Sequence, residues 1–168
     1  IEKSQKPYIF VGGGAVISDA AQELREFVEK VDAPVCDSLM GKGAFPGTDE
    51  RYTGMLGMHG TKTSNLGVSD CDLLIALGTR FSDRVLGNPK KFAQDAKVLH
   101  IDVDPAEINK NVVVDQEVIG DLKEVLSRLN EMLPQENHKD WMATIRGKKE
   151  RFKTTIPEAG LSGPRAIH

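Results

Sequence analysis

Cysteine is scarce in this chain, with only Cys36 and Cys71 among 168 residues. Each sits in or beside an apolar run, and neither has the short spacing of a metal knuckle. A disulfide scaffold and a cysteine metal site are thereby excluded, and reduced core thiols in a cytoplasmic setting are expected. No apolar run approaches the roughly 20 residues of a membrane span, and no signal peptide is expected ahead of Pro7. Neither sign of charge dominates: 22 Lys and Arg stand against 25 Asp and Glu, for a net charge of −3. No basic block gathers, so neither nucleic acid nor a membrane is an expected partner. An initiating methionine is missing too. Ile1 opens the chain, and a segment trimmed from a longer protein is the expectation.

What is present is a repeating pattern of short apolar runs, turn residues and helical periodicity. Tyr8-Ile9-Phe10-Val11 reads as a strand closed by Gly12-Gly13-Gly14. Ser18 offers an N-cap for a helix in which Ala21, Leu24, Phe27, Val28 and Val31 recur at 3.6-type spacing, and Asp32-Ala33-Pro34 stops it. Val35-Cys36 begins the next strand, and Gly41 and Gly43 mark a flexible turn. Leu73-Leu74-Ile75-Ala76-Leu77 is the strongest strand, closed by Gly78, and Val98-Leu99-His100-Ile101 follows. Val118-Ile119 ends at Gly120-Asp121, which can cap a helix carrying Leu122, Val125, Leu126, Leu129 and Leu133. Continuous apolar strands alternating with amphipathic helices predict an α/β fold, a doubly wound parallel sheet of Rossmann-like type covered on both faces. A domain of this size buries about 70% of the surface its unfolded chain exposes and needs no metal or disulfide to fold. The expected organisation is a central α/β domain at 1–134, a peripheral helix at 135–153 with Trp141, Met142 and Ile145 as its apolar stripe, and an interdomain linker at 154–168.

In an open parallel sheet, ligands bind beyond the carboxyl ends of the strands. Gly12-Gly13-Gly14 leads toward a helix and lets bare backbone approach a diphosphate. The dinucleotide fingerprint is incomplete, because Ile17 stands where its third glycine belongs. Asp37 lies about 20 residues on, where nicotinamide enzymes keep a ribose-binding acid; the alternative is an exposed loop aspartate. Gly54-Met55-Leu56-Gly57-Met58-His59-Gly60 suits a loop lying against a flat aromatic ligand, with His59 as a hydrogen-bond donor or a structural residue. Arg80 and Arg84, past the central strand, suit bidentate pairing with a diphosphate. The alternative is a salt bridge to Asp83 or another acid. Asp102, Asp104 and Gly120-Asp121 could accept from ribose hydroxyls or an adenine amine. The two aspartates also have the spacing of a cation site, without the phosphate that completes one for Mg²⁺.

Five segments in order carry a resemblance: Val11-Gly12-Gly13-Gly14, Leu39-Met40-Gly41-Lys42-Gly43, Leu56-Gly57-Met58-His59-Gly60, Gly78-Thr79-Arg80-Phe81-Ser82-Asp83-Arg84-Val85, and His100-Ile101-Asp102-Val103-Asp104-Pro105-Ala106-Glu107-Ile108. Over about Pro7 to Leu133 the chain resembles the middle domain of the acetolactate synthase family. That resemblance implies an extended FAD across the strand ends. Gly12, Gly13 and Gly14 would meet its ribose and diphosphate region. Ser38, Leu39, Met40, Leu56, Gly57, Met58 and His59 would line the flavin. Gly78, Arg80, Arg84 and Val85 would follow the diphosphate and ribityl chain. Asp102, Val103, Glu107 and Ile108 would surround the adenosine, with Gly120 and Asp121 at its far edge. It also implies that Met58, Asp83 and Arg84 lie near the mouth of a substrate channel. Ser82 stands where relatives often carry aspartate, and Ser38 where they often carry threonine.

The same resemblance assigns catalysis to two other domains, which bind thiamine diphosphate and Mg²⁺. Gly120-Asp121-Leu122 lacks the second glycine of the family's metal motif, so neither a catalytic nor a metal residue is expected here, and this segment alone is expected to be inactive. The parent enzyme would join a two-carbon unit from pyruvate to a second 2-keto acid in branched-chain amino-acid biosynthesis, with FAD performing no net redox step. Its partners would be the flanking thiamine-diphosphate domains, a second copy in a dimer or tetramer, and a small regulatory subunit; the segment itself is expected to be a monomer or weak dimer. Two other readings stand beside this one: a sister carboligase or oxidase of the same superfamily, and a stand-alone NAD- or nucleotide-binding module.

Overall fold

The computed structural model describes residues 1–87 and 92–153, so the linker expected at 154–168 lies outside the described residues. Six parallel strands form one sheet in the order β3-β2-β1-β4-β5-β6. They are β1 Pro7–Val11, β2 Val35–Asp37, β3 Tyr52–Met55, β4 Leu73–Leu77, β5 Lys97–Asp102 and β6 Gln116–Ile119. The helices are α1 Gly13–Ile17, α2 Ala21–Val31, α3 Lys62–Asp70, α4 Asp83–Leu86, α5 Leu122–Met132 and α6 Lys139–Arg151. None of the described helices is long and apolar enough to cross a membrane.

The expected doubly wound α/β sheet is what forms. Because successive side chains of a strand leave opposite faces, Ile9, Val11, Ile75, Leu77 and Ile101 pack on one side with Leu24, Phe27 and Val28 of α2 and Leu126 of α5. Tyr8, Phe10, Leu74, Ala76 and Val98 pack on the other with Val68 of α3 and Trp141 and Ile145 of α6. Both faces of β1 and β4 are therefore dry, which is why their sequences are apolar without interruption.

Two element boundaries differ from expectation. Ser18 does not open α2; it closes α1, where its hydroxyl donates back to the Gly14 carbonyl at 2.8 Å. Ala20 stands at the head of α2, which the apolar stripe nevertheless locates. The chain turns sharply enough after Val11 for a separate five-residue helix to precede it. The second difference is Gly54-Met55. They belong to the edge strand β3, and the loop proper is confined to Leu56–Gly60. No apolar run announced β3, because a short edge strand with one covered face needs none. Helix α2 stops as expected, with Asp32 in the left-handed region at φ 50°.

The two edges of the sheet are treated differently. All four β3 carbonyls have partners: Tyr52 O accepts from Lys149 Nζ at 2.8 Å, Thr53 O from the Thr61 hydroxyl at 2.7 Å, Gly54 O from the Ser64 hydroxyl at 3.1 Å, and Met55 O from the Thr61 N–H at 2.9 Å. Helix α6 supplies Lys149 because Trp141, Met142 and Ile145 anchor it over Tyr8, with the indole N–H donating to Pro7 O at 2.9 Å. Strand β6, in contrast, pairs only with β5 among the described residues, and every one of its side chains is exposed.

Candidate functional site

The chain reverses its direction of travel across the sheet between β1 and β4, and the crevice at such a switch point is where α/β sheets bind ligands. A cleft of about 540 Å³ opens there, beyond the carboxyl ends of β1, β4 and β5. Its floor is two glycine turns locked together. Gly12 N–H donates to Leu77 O at 2.9 Å, Gly14 N–H to Gly78 O at 2.9 Å, and Gly78 N–H to Ile101 O at 2.8 Å. A Cβ on Gly14 would stand 2.7 Å from Gly78 Cα, so these glycines are required by the packing of backbone on backbone. Gly13 differs: its missing side chain borders the cleft, and a Cβ there would meet only Met40, at 3.1 Å.

One wall carries the two arginines. Arg80 follows β4 and Arg84 lies in α4; both are exposed and line the cleft. Among the described residues neither guanidinium makes an ion pair, so the salt bridge to Asp83 does not form. The opposite end, past β5, is acidic, with Asp102, Asp104 and Glu107 lining it. Those carboxylates are partly engaged: Asp102 accepts from Asp104 N–H at 3.0 Å, Asp104 from Ala106 N–H at 2.9 Å, and Glu107 from Lys110 at 2.8 Å. Among the described residues no group of three or more His, Cys, Asp or Glu is placed to hold a metal ion. Apolar groups make the remaining wall, with Leu39, Met40, Leu56 and Val85 among them.

The structure brings Gly13, Gly14, Ser38, Leu39, Met40, Leu56, His59, Gly78, Arg80, Arg84, Val85, Asp102, Val103 and Glu107 to this one cleft. It does not bring six others. Gly12 is buried beneath the turn, with no room for a side chain against Gly78 and Thr79. Gly57 lies against the Arg84 and Val85 backbone at φ 102°, and Met58 is turned to solvent with its N–H on Arg84 O at 2.9 Å. Ile108 closes the short 3-10 turn after Pro105. Gly120 and Asp121 line a separate groove between β6 and α5, where Asp121 accepts from Glu124 N–H at 3.2 Å and caps the helix. The Asp121 carboxylate thus serves the start of α5.

Asp37 is neither an exposed loop residue nor a wall of the cleft. It ends β2, buried, where its carboxylate accepts from the Tyr52 hydroxyl at 2.7 Å with Lys42 at 3.5 Å. The acid that a nicotinamide ribose requires is thus committed to tying β2 to β3. Cys36 and Cys71 are free thiols buried in the core, and burial pushes Cys71 up to about 12.

Three groups of contributors stand outside the residues that the sequence reading assigned to a cofactor. Ile17, Met55, Thr79 and Ser82 also line the cleft, as neighbours of residues that the glycine pattern had marked. Asn65 on α3 clamps the Leu56–Gly60 loop, accepting from Gly57 N–H at 3.1 Å and donating to Gly57 O at 3.0 Å. An amide inside a helix, where it competes with backbone, was the available signal. The third is His100, fully buried in β5, whose Nε2 lies 2.9 Å from Thr79 O. Burial holds this imidazole below its ordinary pKa, against the opposing pull of that carbonyl, Asp102 and Glu107. The neutral ring carries its proton on Nε2, since a carbonyl can only accept.

The profile of the family described as "Thiamine pyrophosphate enzyme, central domain" matches residues 1–129. The chain belongs to that family. Its relatives include a probable acetolactate synthase large subunit of Methanocaldococcus jannaschii, 48% identical over 94% of this chain and 27% of the relative. The acetolactate synthase large subunit of Parasynechococcus marenigrum is 46% identical over 95% of this chain and 26% of the relative. That of Buchnera aphidicola subsp. Schizaphis graminum is 42% identical over 90% of this chain and 27% of the relative. The chain thus spans about a quarter of the length of these curated relatives. Helix α6 lies beyond the family match yet packs into the core.

Proposed function

We propose that this chain is the FAD-binding central domain of an acetolactate synthase large subunit, with FAD lying along the switch-point cleft. The observation that carries the proposal is the sorting of chemistry along one crevice. Two unpaired guanidiniums stand past β4, carboxylates past β5, and apolar side chains between the β2 and α4 ends. A diphosphate needs the first, ribose and adenine donors suit the second, and a flat ring suits the third. Gly13 leaves space where a side chain would intrude. On this reading Arg80 and Arg84 hold the diphosphate, Asp102 and Glu107 the adenosine side, and Leu56, His59, Met40 and Val85 the flavin side.

On this reading the donors of this chain bind, orient and exclude water. In the longer enzyme, thiamine diphosphate with Mg²⁺ supplies the carbon nucleophile that takes up pyruvate, and it belongs to domains outside this chain. The product class is a branched acetohydroxy acid, made in the cytoplasm for branched-chain amino-acid synthesis. The flanking domains, a second copy and a small regulatory subunit are the partners this reading implies. Calorimetric titration with FAD, repeated in excess ADP, tests it. Saturable binding that ADP competes away is expected. Binding of NAD with none of FAD would overturn the proposal.

A further inference from the structure

His100 is the one histidine on β5 and faces the cleft's floor from below. Its register partner on β4 is Ala76, so the ring has space to reach up toward the turn that follows β4. There it meets two parts of that turn. Its Nε2–H donates to Thr79 O at 2.9 Å, and its ring meets Phe81 edge to face at 5.1 Å. Phe81 is itself packed on Phe10, at 6.1 Å between ring centres. The turn is therefore gripped by backbone and side chain from a single buried residue.

The consequence lies in the next peptide unit. A trans peptide is planar, with its C=O and N–H pointing in opposite directions. No cis bond occurs among the described residues, so the Thr79 carbonyl and the Arg80 N–H are antiparallel. Because the carbonyl is drawn down to a fully buried imidazole, the N–H is turned away from the core. Thr79 and Arg80 both border the cleft on that side. Among the described residues no acceptor takes the Arg80 N–H, whereas the neighbouring Gly78 N–H is taken by Ile101 O.

We propose that His100 is a positioning residue for the cleft, holding the Thr79 carbonyl so that the Arg80 N–H faces outward as a fixed donor to an anionic group of the bound cofactor. This rests on the cofactor reading above. The Arg80 guanidinium is exposed on a long side chain that binding must order, whereas its backbone N–H needs no rotamer to be frozen. A donor fixed before binding costs less to recruit than one ordered by it.

The test uses the 168-residue chain with His100→Phe, which keeps a ring against Phe81 and removes the donor, and His100→Gln, which restores an N–H. In the unsubstituted chain the imidazole ¹⁵N shifts should report a neutral Nε2–H tautomer. The Arg80 amide resonance should move in His100→Phe and return in His100→Gln. Affinity for ADP and FAD should fall about tenfold in His100→Phe, as for one lost charge-assisted hydrogen bond, and recover in His100→Gln. Adenosine, which lacks the phosphates, should bind all three alike. Equal loss of ADP and adenosine, or an unmoved Arg80 resonance, overturns the proposal, and so does an Nδ1–H tautomer if neither variant folds. An unsubstituted chain that binds neither FAD nor ADP overturns the cofactor reading instead, and the Arg80 resonance then decides the role of His100 alone.

Discussion

A Cβ placed on Gly12 would stand 2.2 Å from the carbonyl oxygen of Gly78, inside any contact that atoms tolerate. Gly12→Ala therefore has to part β1 from the turn after β4, at a cost of about 2–3 kcal/mol of stability. Gly13→Ala meets only the exposed Met40 side chain and should stay within about 1 kcal/mol of the parent, while its methyl intrudes on the cleft and weakens FAD binding. Denaturant titration and calorimetry on both variants separate the two roles.

Arg80 and Arg84 are expected to contribute to binding and not to folding. Both are exposed and unpaired among the described residues. Replacing either with alanine should leave the urea midpoint nearly unchanged. FAD affinity at low salt should fall by about ten- to a hundredfold, the range for losing hydrogen bonds to a charged group. Added salt should shrink the difference.

His100 makes stability depend on pH in a stated direction. Its folded-state pKa is depressed, chiefly by burial, so the unfolded chain takes up the proton first as pH falls. Stability from this residue is complete above the unfolded value of about 6.5 and declines below it by up to about 1.4 kcal/mol per pH unit. The decline ends once the folded-state imidazole itself protonates. In His100→Gln this component is gone. Unfolding curves from pH 7.5 to 5 should show the parent losing its margin over the variant.

Helix α6 is part of the folding unit. The chain's single tryptophan, Trp141, sits on it, buried, with its indole N–H on Pro7 O. Trp141→Phe should cost about 1–2 kcal/mol through the unpaired carbonyl and the lost packing. Ending the chain after Pro134 uncovers Tyr8 and should abolish cooperative unfolding, read by circular dichroism. In the intact chain, tryptophan emission should be blue-shifted and should redden at the same midpoint as the loss of helix.

The strands and helices were legible where burial is complete. The five-residue apolar runs of β1 and β4 declare themselves because both faces of those strands are covered. Strand β3 did not, since Tyr52-Thr53-Gly54-Met55 owes its place to hydroxyl groups of α3 and to Lys149, partners distant in sequence or unrelated to hydropathy. The glycines that drew attention to the strand ends are there for mixed reasons. Gly13 leaves room in the cleft, whereas Gly12, Gly14 and Gly57 make room for other backbone, and composition cannot tell these apart. Asp37 shows the same ambiguity: its spacing fitted a ribose acid, and only the phenol of Tyr52 across 2.7 Å reveals what it holds. His100 was visible as part of a strand and of a family-like segment but without a role, because its action runs through a carbonyl that sequence does not display.

The unequal treatment of the sheet's borders has a geometric outcome. At β3 every carbonyl is already taken by a group of the same chain, so an incoming strand meets no free acceptor there. Among the described residues the outer side of β6 has no such cover. The lysine and hydroxyl groups along β3 thus guard that border against edge-to-edge pairing, independent of any ligand the cleft receives.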